Sequence, residues 1–264
     1  MFKTSRLLIL LFGWGAFSMA VMSGASAAEW GSIKGRFLVA GAPPKPMPLT
    51  GSRDQFCTDN KPMDETVAVG EEGALANVLV FIRVGRRETI EAHPDYAAQM
   101  NEPVVLDNKG CKFIPHVALV RENQILTIKN SDPTGHNSNL ALFRFNPSIA
   151  AGEEVQTKVS QEWVSRARSI PVQVTCNIHP FMQAYVLALD HPYMAVSAED
   201  GTFEIKNIPV GKREFQFWHE APGYLKDVKF AGGVLNRQGR AELTIANGQI
   251  LDLGDITVPA AILE

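Results

Sequence analysis

The sequence has few cysteines, few aromatic residues and no excess of basic residues. Its 264 residues include three cysteines, 8% aromatic residues and a formal net charge of −3. A chain without clustered positive charge is a poor candidate for binding nucleic acid. The motifs of nucleophile-elbow hydrolases, phosphate-binding loops and His-Glu-x-x-His metalloproteases are also missing. We therefore expect no nucleic-acid partner and a protein that is not an enzyme.

Long hydrophobic runs are absent after the N-terminus. Lys3 and Arg6 precede eleven apolar residues at 7–17, and small residues follow at 25–27. This is the layout of a secretory signal peptide with a cleavage site. An uncleaved anchor is the competing interpretation, but the run is shorter than the roughly 20 residues that a spanning helix needs. We expect residues 1–27 to be removed and the mature chain to be periplasmic or secreted, with no membrane-spanning segment.

The remaining chain has the pattern of an all-β protein. Hydrophobic residues make up 45% of the sequence, enough for a sizeable core. Short alternating or apolar runs are separated by turn residues, which is typical of sandwiches and barrels. Residues 88–100 form the only plausible helix, and residues 140–145 resemble a strand. Asn247-Gly248 between two alternating runs predicts a β-hairpin near the C-terminus.

Export changes how the three cysteines are interpreted, because an oxidising compartment permits disulfides. Cys57 and Cys111 lie in polar, turn-rich segments, whereas Cys176 ends an alternating strand. The economical interpretation pairs Cys57 with Cys111 and leaves Cys176 for chemistry. Two or three free buried thiols remain the alternative, since sequence does not fix connectivity.

The segment from Cys176 to Met182 carries the clearest chemical signal. It reads Cys-Asn-Ile-His-Pro-Phe-Met and places a thiol, the His179 imidazole and a thioether on one short loop. Thiolate, imidazole and a weak thioether are the ligands of blue-copper sites, which need two histidines. His136, in a turn after the alternating run at 125–129, is the best candidate for the second. Zinc is disfavoured because methionine is a poor zinc ligand.

These two segments resemble the cupredoxin family. Residues 130–137 are similar to the Asn-rich turn of plastocyanins that ends in His-Asn, and residues 176–182 are similar to the ligand loop of amicyanins. The resemblance covers about residues 124–189. It implies a Greek-key sandwich and one type 1 copper ion. The implied ligands are His136, Cys176, His179 and Met182, with Asn137 bracing the ligand loop.

The chain also departs from a simple cupredoxin. An N-terminal elaboration precedes the matched part, and the residues after 190 resemble a carboxypeptidase-regulatory-like β-sandwich. The combined layout is similar to methylamine-utilisation or plastocyanin-like proteins. We expect a signal peptide at 1–27, a copper domain at 28–190 and an additional small β-sandwich at 191–264.

The resemblance implies an exported electron carrier that docks briefly with a redox protein, either a cytochrome c or a periplasmic dehydrogenase or oxidase. The alternative is a copper delivery or storage protein that transfers no electrons, and a metal-free adhesion or scaffold module is a third interpretation. We expect His179 to be the ligand nearest solvent. His116 reads as a core histidine, and a second metal site with His191 and His219 is the less favoured interpretation.

Overall fold

The computed structural model describes residue 1 and residues 29–85 and 88–264. The expected signal peptide therefore lies, apart from Met1, outside the described residues. Within the described ranges, no helix is long and apolar enough to cross a membrane. The structure is built from strands with two short α-helices, and the expected all-β class is confirmed.

The described part of the chain contains the following strands and helices, in chain order. They are β1 (Trp30–Ala40), α1 (Gln55–Asn60), β2 (Leu79–Arg83), β3 (Val104–Asn108), β4 (Phe113–Ile114), β5 (Val117–Arg121), β6 (Ile125–Asn130), β7 (His136–Asn137), β8 (Ser148–Ile149), β9 (Glu154–Lys158), α2 (Gln161–Ala167), β10 (Val172–Thr175), β11 (Gln183–Leu189), β12 (Met194–Val196), β13 (Thr202–Pro209), β14 (Gly211–His219), β15 (Gly223–Tyr224), β16 (Lys229–Phe230), β17 (Gly233–Val234), β18 (Arg240–Ile245) and β19 (Ile250–Pro259). Short 3₁₀ turns span Glu71–Gly73, Pro94–Tyr96, Ala98–Asn101, Ala141–Phe143 and Ala260–Ile262.

The middle of the chain forms one β-sandwich, called here the central sandwich. One sheet has the strand order β10-β11-β5 and the other β4-β3-β6-β9, with the short pair β7-β8 beside them. Side chains of both sheets meet in one buried cluster that includes Leu106, Ile128, Val174 and Val186. Two of its strand pairs, β5 with β11 and β3 with β6, are parallel, so they join segments that are distant in the sequence.

Both ends of the described chain form a second sandwich, called here the terminal sandwich. Its sheets have the orders β13-β1-β19-β16-β17 and β12-β2-β14-β15, and β18 pairs with β14. Phe37 of the first sheet and Phe217 of the second meet in its core, with ring centroids 6.3 Å apart. This differs from the expected division at residue 190, because β1 and β2 belong to the terminal sandwich.

The two sandwiches are joined by a third apolar cluster between β2 and β14 on one side and β5 and β11 on the other. It contains Leu79, Phe81, Val117, Leu187, Leu189 and Trp218. On β2, Leu79 and Phe81 face this cluster while Val80 and Ile82 face the terminal core. Since alternate residues of a strand point to opposite faces, a strand covered on both sides is apolar throughout. This explains why β2 and β11 read as continuous apolar runs.

Three local expectations differ from the structure. Residues 88–100 contain 3₁₀ turns and no α-helix, in keeping with the proline at position 94, and residues 140–145 hold a 3₁₀ turn closed by a bridge. The two α-helices that do exist were not expected. Asn247-Gly248 makes a turn, with φ of +66° at Gly248, but β18 and β19 do not pair with each other. The turn instead carries the chain from one sheet of the terminal sandwich to the other.

Candidate metal centre

The ligand loop connects two antiparallel strands of the central sandwich. Thr175 of β10 pairs with Gln183 of β11, so the residues between them must turn tightly. The backbone N–H of Cys176 donates to the carbonyl of Met182 at 3.3 Å, and that of Met182 donates to the carbonyl of His179 at 2.9 Å. The N–H of His179 also donates to the Cys176 sulfur at 3.4 Å. The loop is therefore held in one conformation by its own backbone.

His136 reaches the ligand loop through a backbone bridge. It lies on β7, which pairs with β8, and three residues later Asn139 exchanges hydrogen bonds with Thr175 at 2.8 and 3.2 Å. Thr175 precedes Cys176, so this bridge sets the His136 segment against the start of the loop. Forty residues separate His136 from Cys176 in sequence, and the two side chains are nevertheless adjacent.

Three donor atoms converge. The Nδ1 atoms of His136 and His179 are 3.0 Å apart, and each lies 3.9 Å from the Cys176 sulfur. An ion in their plane, about 2.0 Å from both nitrogens, would be roughly 2.3 Å from sulfur, which are ordinary metal–nitrogen and metal–sulfur lengths. The donor set therefore fits one ion in a trigonal arrangement of two nitrogens and one sulfur.

The three donor side chains are buried, and burial lowers the pKa of both histidines. His136, Cys176 and His179 are 1%, 1% and 2% exposed. Burial lowers the pKa of His136, and the hydrogen bond with Asp132 opposes this in part. Burial likewise lowers the pKa of His179, against the nearby charges of Asp54 and Asp132. Both imidazoles are thereby kept neutral near pH 7, as metal binding requires.

Met182 is buried at the end of the ligand loop, and Asn137 is hydrogen-bonded to the loop. Met182, the expected weak axial ligand, is 1% exposed and shares a buried cluster with Cys176. The Asn137 side-chain oxygen accepts the backbone N–H of Asn177 at 2.7 Å and that of Ile178 at 3.4 Å. Its amide nitrogen donates to Asn146 at 2.6 Å. Asn137 therefore fastens the β7 segment to the ligand loop.

The structure contains a disulfide between Cys57 and Cys111, and Cys176 is the free cysteine. This is the pairing that the sequence favours. The Cys57 sulfur lies within 4.8 Å of a ring nitrogen of His179, and the Cys111 sulfur lies within 4.8 Å of a ring nitrogen of His136. The disulfide thus sits beside both histidines, a position that the sequence pattern does not reveal.

His179, expected to be the ligand nearest solvent, is buried like the other three expected ligands. Asp54 and Cys57, at the start of α1, lie against its ring and leave it 2% exposed. The Asp54 carboxylate caps α1 by accepting from the N–H of Cys57 at 3.2 Å, and it also accepts from the Thr134 hydroxyl at 2.6 Å. The N-terminal elaboration therefore covers the edge of the candidate metal centre.

Asp132 is a residue of the site that the sequence analysis missed. Its carboxylate lies 3.0 Å from Nε2 of His136, on the side of the ring away from Cys176, and it is 3% exposed. The available signal was weak, because a carboxylate four residues before a histidine is common in turns. Only the folded loop brings the two side chains together.

Three of the four other histidines, His116, His191 and His219, are buried or nearly buried in other environments. Nδ1 of His191 and Nδ1 of His219 each accept the backbone N–H two residues further on, at 3.2 and 3.3 Å. Burial lowers the pKa of each to about 4. His116 is hydrogen-bonded to Glu220, and its other ring nitrogen lies 3.9 Å from Glu65. Among the described residues, none of these three belongs to a cluster of three metal-ligating groups.

Comparisons with known proteins return solved structures alone, since no family model and no curated protein matches the chain. A reduced Cu(I) form of an amicyanin variant matches with a TM-score of 0.28 and 18% identity, over 41% of this chain and 97% of that chain. An oxidised amicyanin variant matches with 0.29 and 16% over the same shares.

The copper-containing nitrite reductase from Thermus scotoductus SA-01 matches with a TM-score of 0.28 and 16% identity, over 40% of this chain. The match spans 25% of the length of the nitrite reductase. Amicyanin and this reductase are both cupredoxins.

Proposed function

We propose that this chain is an exported type 1 copper protein that carries single electrons between redox proteins and catalyses no reaction itself. The observation that carries the proposal is the set of three donor atoms, two imidazole nitrogens and one thiol sulfur, which lie 3.0 to 3.9 Å from one another. Two histidines and one cysteine with a methionine nearby are the donor set of blue-copper electron-transfer sites.

Copper in such a site supplies a one-electron couple between Cu(I) and Cu(II). The chain contributes a rigid cage for it. The loop from Cys176 to Met182 is closed by backbone hydrogen bonds, and Asn137 ties it to the segment of His136. Ligands fixed by packing and hydrogen bonds do not need to move when the metal changes its charge. This rigidity favours electron transfer over copper delivery, which requires the ligands to open.

A redox protein would meet the site at its partly exposed margin. Ile178, on the ligand loop beside His179, is 56% exposed, and Phe181 is half-buried. Transient redox contacts bury little surface, so a small apolar patch suffices. The disulfide fits an exported location because such bonds persist in oxidising compartments.

The visible spectrum of the copper-loaded protein tests this function. We expect an intense band from charge transfer between the Cys176 thiolate and copper. Cys176→Ser should abolish the band, and Met182→Leu should keep it while shifting the reduction potential, which the axial ligand tunes. Ile178→Ala is the matched loop control and should leave band and potential unchanged. A coloured Cys176→Ser protein would refute the assignment.

A second measurement separates electron transfer from delivery or storage. The copper-loaded protein is reduced and reoxidised repeatedly in the presence of a Cu(I) chelator. An electron carrier keeps its copper through the cycles and recovers its full absorbance. If the chelator removes the metal from the reduced form, the delivery function is correct instead.

A further inference from the structure

The two histidines of the candidate metal centre have different partners on their outer sides. Nε2 of His136 lies 3.0 Å from a buried carboxylate oxygen of Asp132. A carboxylate oxygen of the half-buried Asp54 lies within 4.8 Å of a His179 ring nitrogen, and the Asp54 oxygens already accept from Cys57 and Thr134. Of the two histidines of the candidate metal centre, only His136 has a buried carboxylate as a hydrogen-bond partner among the described residues.

Asp132 is itself held in place by backbone donors. One oxygen accepts the N–H of Gly110 at 2.6 Å, and the other accepts the N–H of Cys111 at 2.8 Å as well as the His136 ring. Its own N–H donates to the Asn130 side chain at 3.0 Å. Through Cys111, the carboxylate is anchored to the disulfide. The aspartate cannot swing away from the histidine without breaking several hydrogen bonds.

The charge of Asp132 is poorly neutralised. Among the described residues no lysine or arginine lies within 4.0 Å of it, and the His136 ring that contacts it is neutral near pH 7. Interactions of a buried charge are weakened little by solvent. A negative charge on the far side of a ligand ring therefore acts on whatever ion the ring holds.

We infer that Asp132 is a positioning residue for His136. It fixes the His136 ring with the proton on Nε2 and the Nδ1 lone pair towards Cys176 and His179, and the negative charge of Asp132 favours the oxidised metal. A ligating histidine whose outer N–H meets a carboxylate is held in one tautomer and becomes a more basic ligand. Cu(II) carries one more positive charge than Cu(I), so Asp132 lowers the reduction potential. The second half of this inference rests on the proposed copper function, and the first half does not.

Two variants separate the roles of charge and hydrogen bond. Asp132→Asn keeps an acceptor oxygen but removes the charge, and Asp132→Ala removes both. Asp107→Asn is the matched control, because among the described residues the Asp107 side chain is hydrogen-bonded only to Ser131, next to Asp132, at 3.0 and 2.7 Å. All three variants raise the net charge of the protein by one unit.

The first measurement is the reduction potential of each copper-loaded variant. We expect Asp132→Asn and Asp132→Ala to shift the Cu(II)/Cu(I) equilibrium about tenfold towards Cu(I), a rise of about 59 mV for one electron. Copper affinity should fall about 10- to 100-fold. Asp107→Asn should change neither quantity. If the potentials of Asp132→Asn and Asp107→Asn move equally, the charge of Asp132 has no special effect and the inference is wrong.

The second measurement needs no copper. Nitrogen-15 NMR of the metal-free protein reports which ring nitrogen of His136 carries the proton. The wild type and Asp132→Asn should show the Nε2–H form, and Asp132→Ala should show a mixture of both forms. An unchanged tautomer in Asp132→Ala would overturn the positioning role. If the wild type binds no copper but Asp132→Ala still changes the tautomer of His136, the proposed function fails while the positioning role stands.

Discussion

The central and the terminal sandwich use buried histidines in opposite ways. His136 and His179 of the central sandwich are 1% and 2% exposed. In the terminal sandwich, His191, just before β12, and His219, at the end of β14, are 3% and 0% exposed. Burial therefore does not distinguish them. The difference is where Nδ1 points. In the first pair the Nδ1 atoms face each other and the Cys176 sulfur, and in the second pair each accepts a local backbone N–H.

In this chain, the two histidines whose Nδ1 atoms converge on Cys176 are ones whose Nδ1 accepts no local backbone N–H. In His191 and His219, the Nδ1 lone pair instead accepts a backbone N–H of a local turn. In His136, Nδ1 faces the other donors and Nε2 lies 3.0 Å from the Asp132 carboxylate. Four sets of variants, in order of decreasing expected effect on stability, test how the two sandwiches differ.

The largest effect should come from the disulfide, whose two cysteines lie in the core of the central sandwich and whose loop also contains β2 of the terminal sandwich. Replacing both Cys57 and Cys111 by serine releases a loop of 54 residues. The chain-entropy model gives such a crosslink about 4 kcal/mol of stability. We expect the unfolding free energy in guanidinium to fall by about that amount.

Wild-type protein treated with a thiol reductant is the control for this variant, and its unfolding midpoint should match that of the double serine variant. Mass spectrometry of unreduced, copper-free wild type should find one free thiol. Three free thiols, or an unchanged midpoint after reduction, would contradict the pairing.

The contact between the sandwiches should have the next largest effect. Leu187 is fully buried in the apolar cluster that joins them. Leu187→Ala should cost about 3 kcal/mol, as for other buried leucines. It should also separate the two sandwiches, so that copper absorbance and tryptophan fluorescence no longer change together during unfolding.

Leu106→Ala is the matched control, because Leu106 is equally buried but lies inside the central core. It should lower stability by a similar amount and leave the two unfolding transitions coincident. If both variants keep coincident transitions, the joining cluster does not couple the sandwiches.

The third effect concerns the acid stability of the terminal sandwich. Burial lowers the pKa of His219 to about 4 from an ordinary 6.5, so the unfolded chain binds this proton first as pH falls. Stability must then decrease between pH 6.5 and 4, by about 1.4 kcal/mol per pH unit for this group. His219→Gln should remove roughly 2 kcal/mol of the loss between pH 7 and 5.

Urea unfolding at pH 7 and 5 measures this effect. The same variant should bind copper with unchanged stoichiometry and colour, because His219 belongs to no described metal-ligand cluster. An identical pH dependence in wild type and variant would show that His219 is not buried as a neutral group. Loss of a metal equivalent with retained colour would reveal a second site.

The smallest effect should appear at the turn between β18 and β19. Gly248 has φ of +66°, and a Cβ there would meet no atom within 4 Å. Gly248→Ala should cost only about 1 kcal/mol, from the backbone conformation alone. At Gly201, φ is +78° and a Cβ would lie 2.4 Å from the Phe37 carbonyl oxygen.

Gly201→Ala should therefore be clearly more destabilising than Gly248→Ala in thermal unfolding, although both glycines lie in turns of the terminal sandwich. Equal melting temperatures would mean that the sheet containing β1 can move away from the turn before β13.

Patterns within short segments of the sequence predict much of the molecule. Alternation and turn residues indicate most of the strands, because side chains of a strand alternate between two faces whatever the strand pairs with. The spacing from Cys176 to Met182 identifies the ligand loop, since three donors on seven residues must lie close together. The Asn-rich turn adds His136 through its resemblance to a known motif.

Pairing between distant segments was decided by the tertiary structure. β1 lies parallel to β19, more than 200 residues later, and no local pattern announces such a partner. For the same reason Asn247-Gly248 predicts a turn but not which sheet each flanking strand joins. The assignment of residues 28–190 to one domain failed at β1 and β2 because composition does not record strand partners.

In the candidate metal centre, too, residue types determine one part of the chemistry and tertiary contacts determine the other. The sequence by itself determined the donors, because thiolate, imidazole and thioether are properties of residue types. Only the tertiary structure placed Asp132 on the outer side of His136, and the disulfide and Asp54 beside His179. Those contacts depend on loops from three distant parts of the chain meeting at one end of the central sandwich, and packing, not local sequence, brings them there.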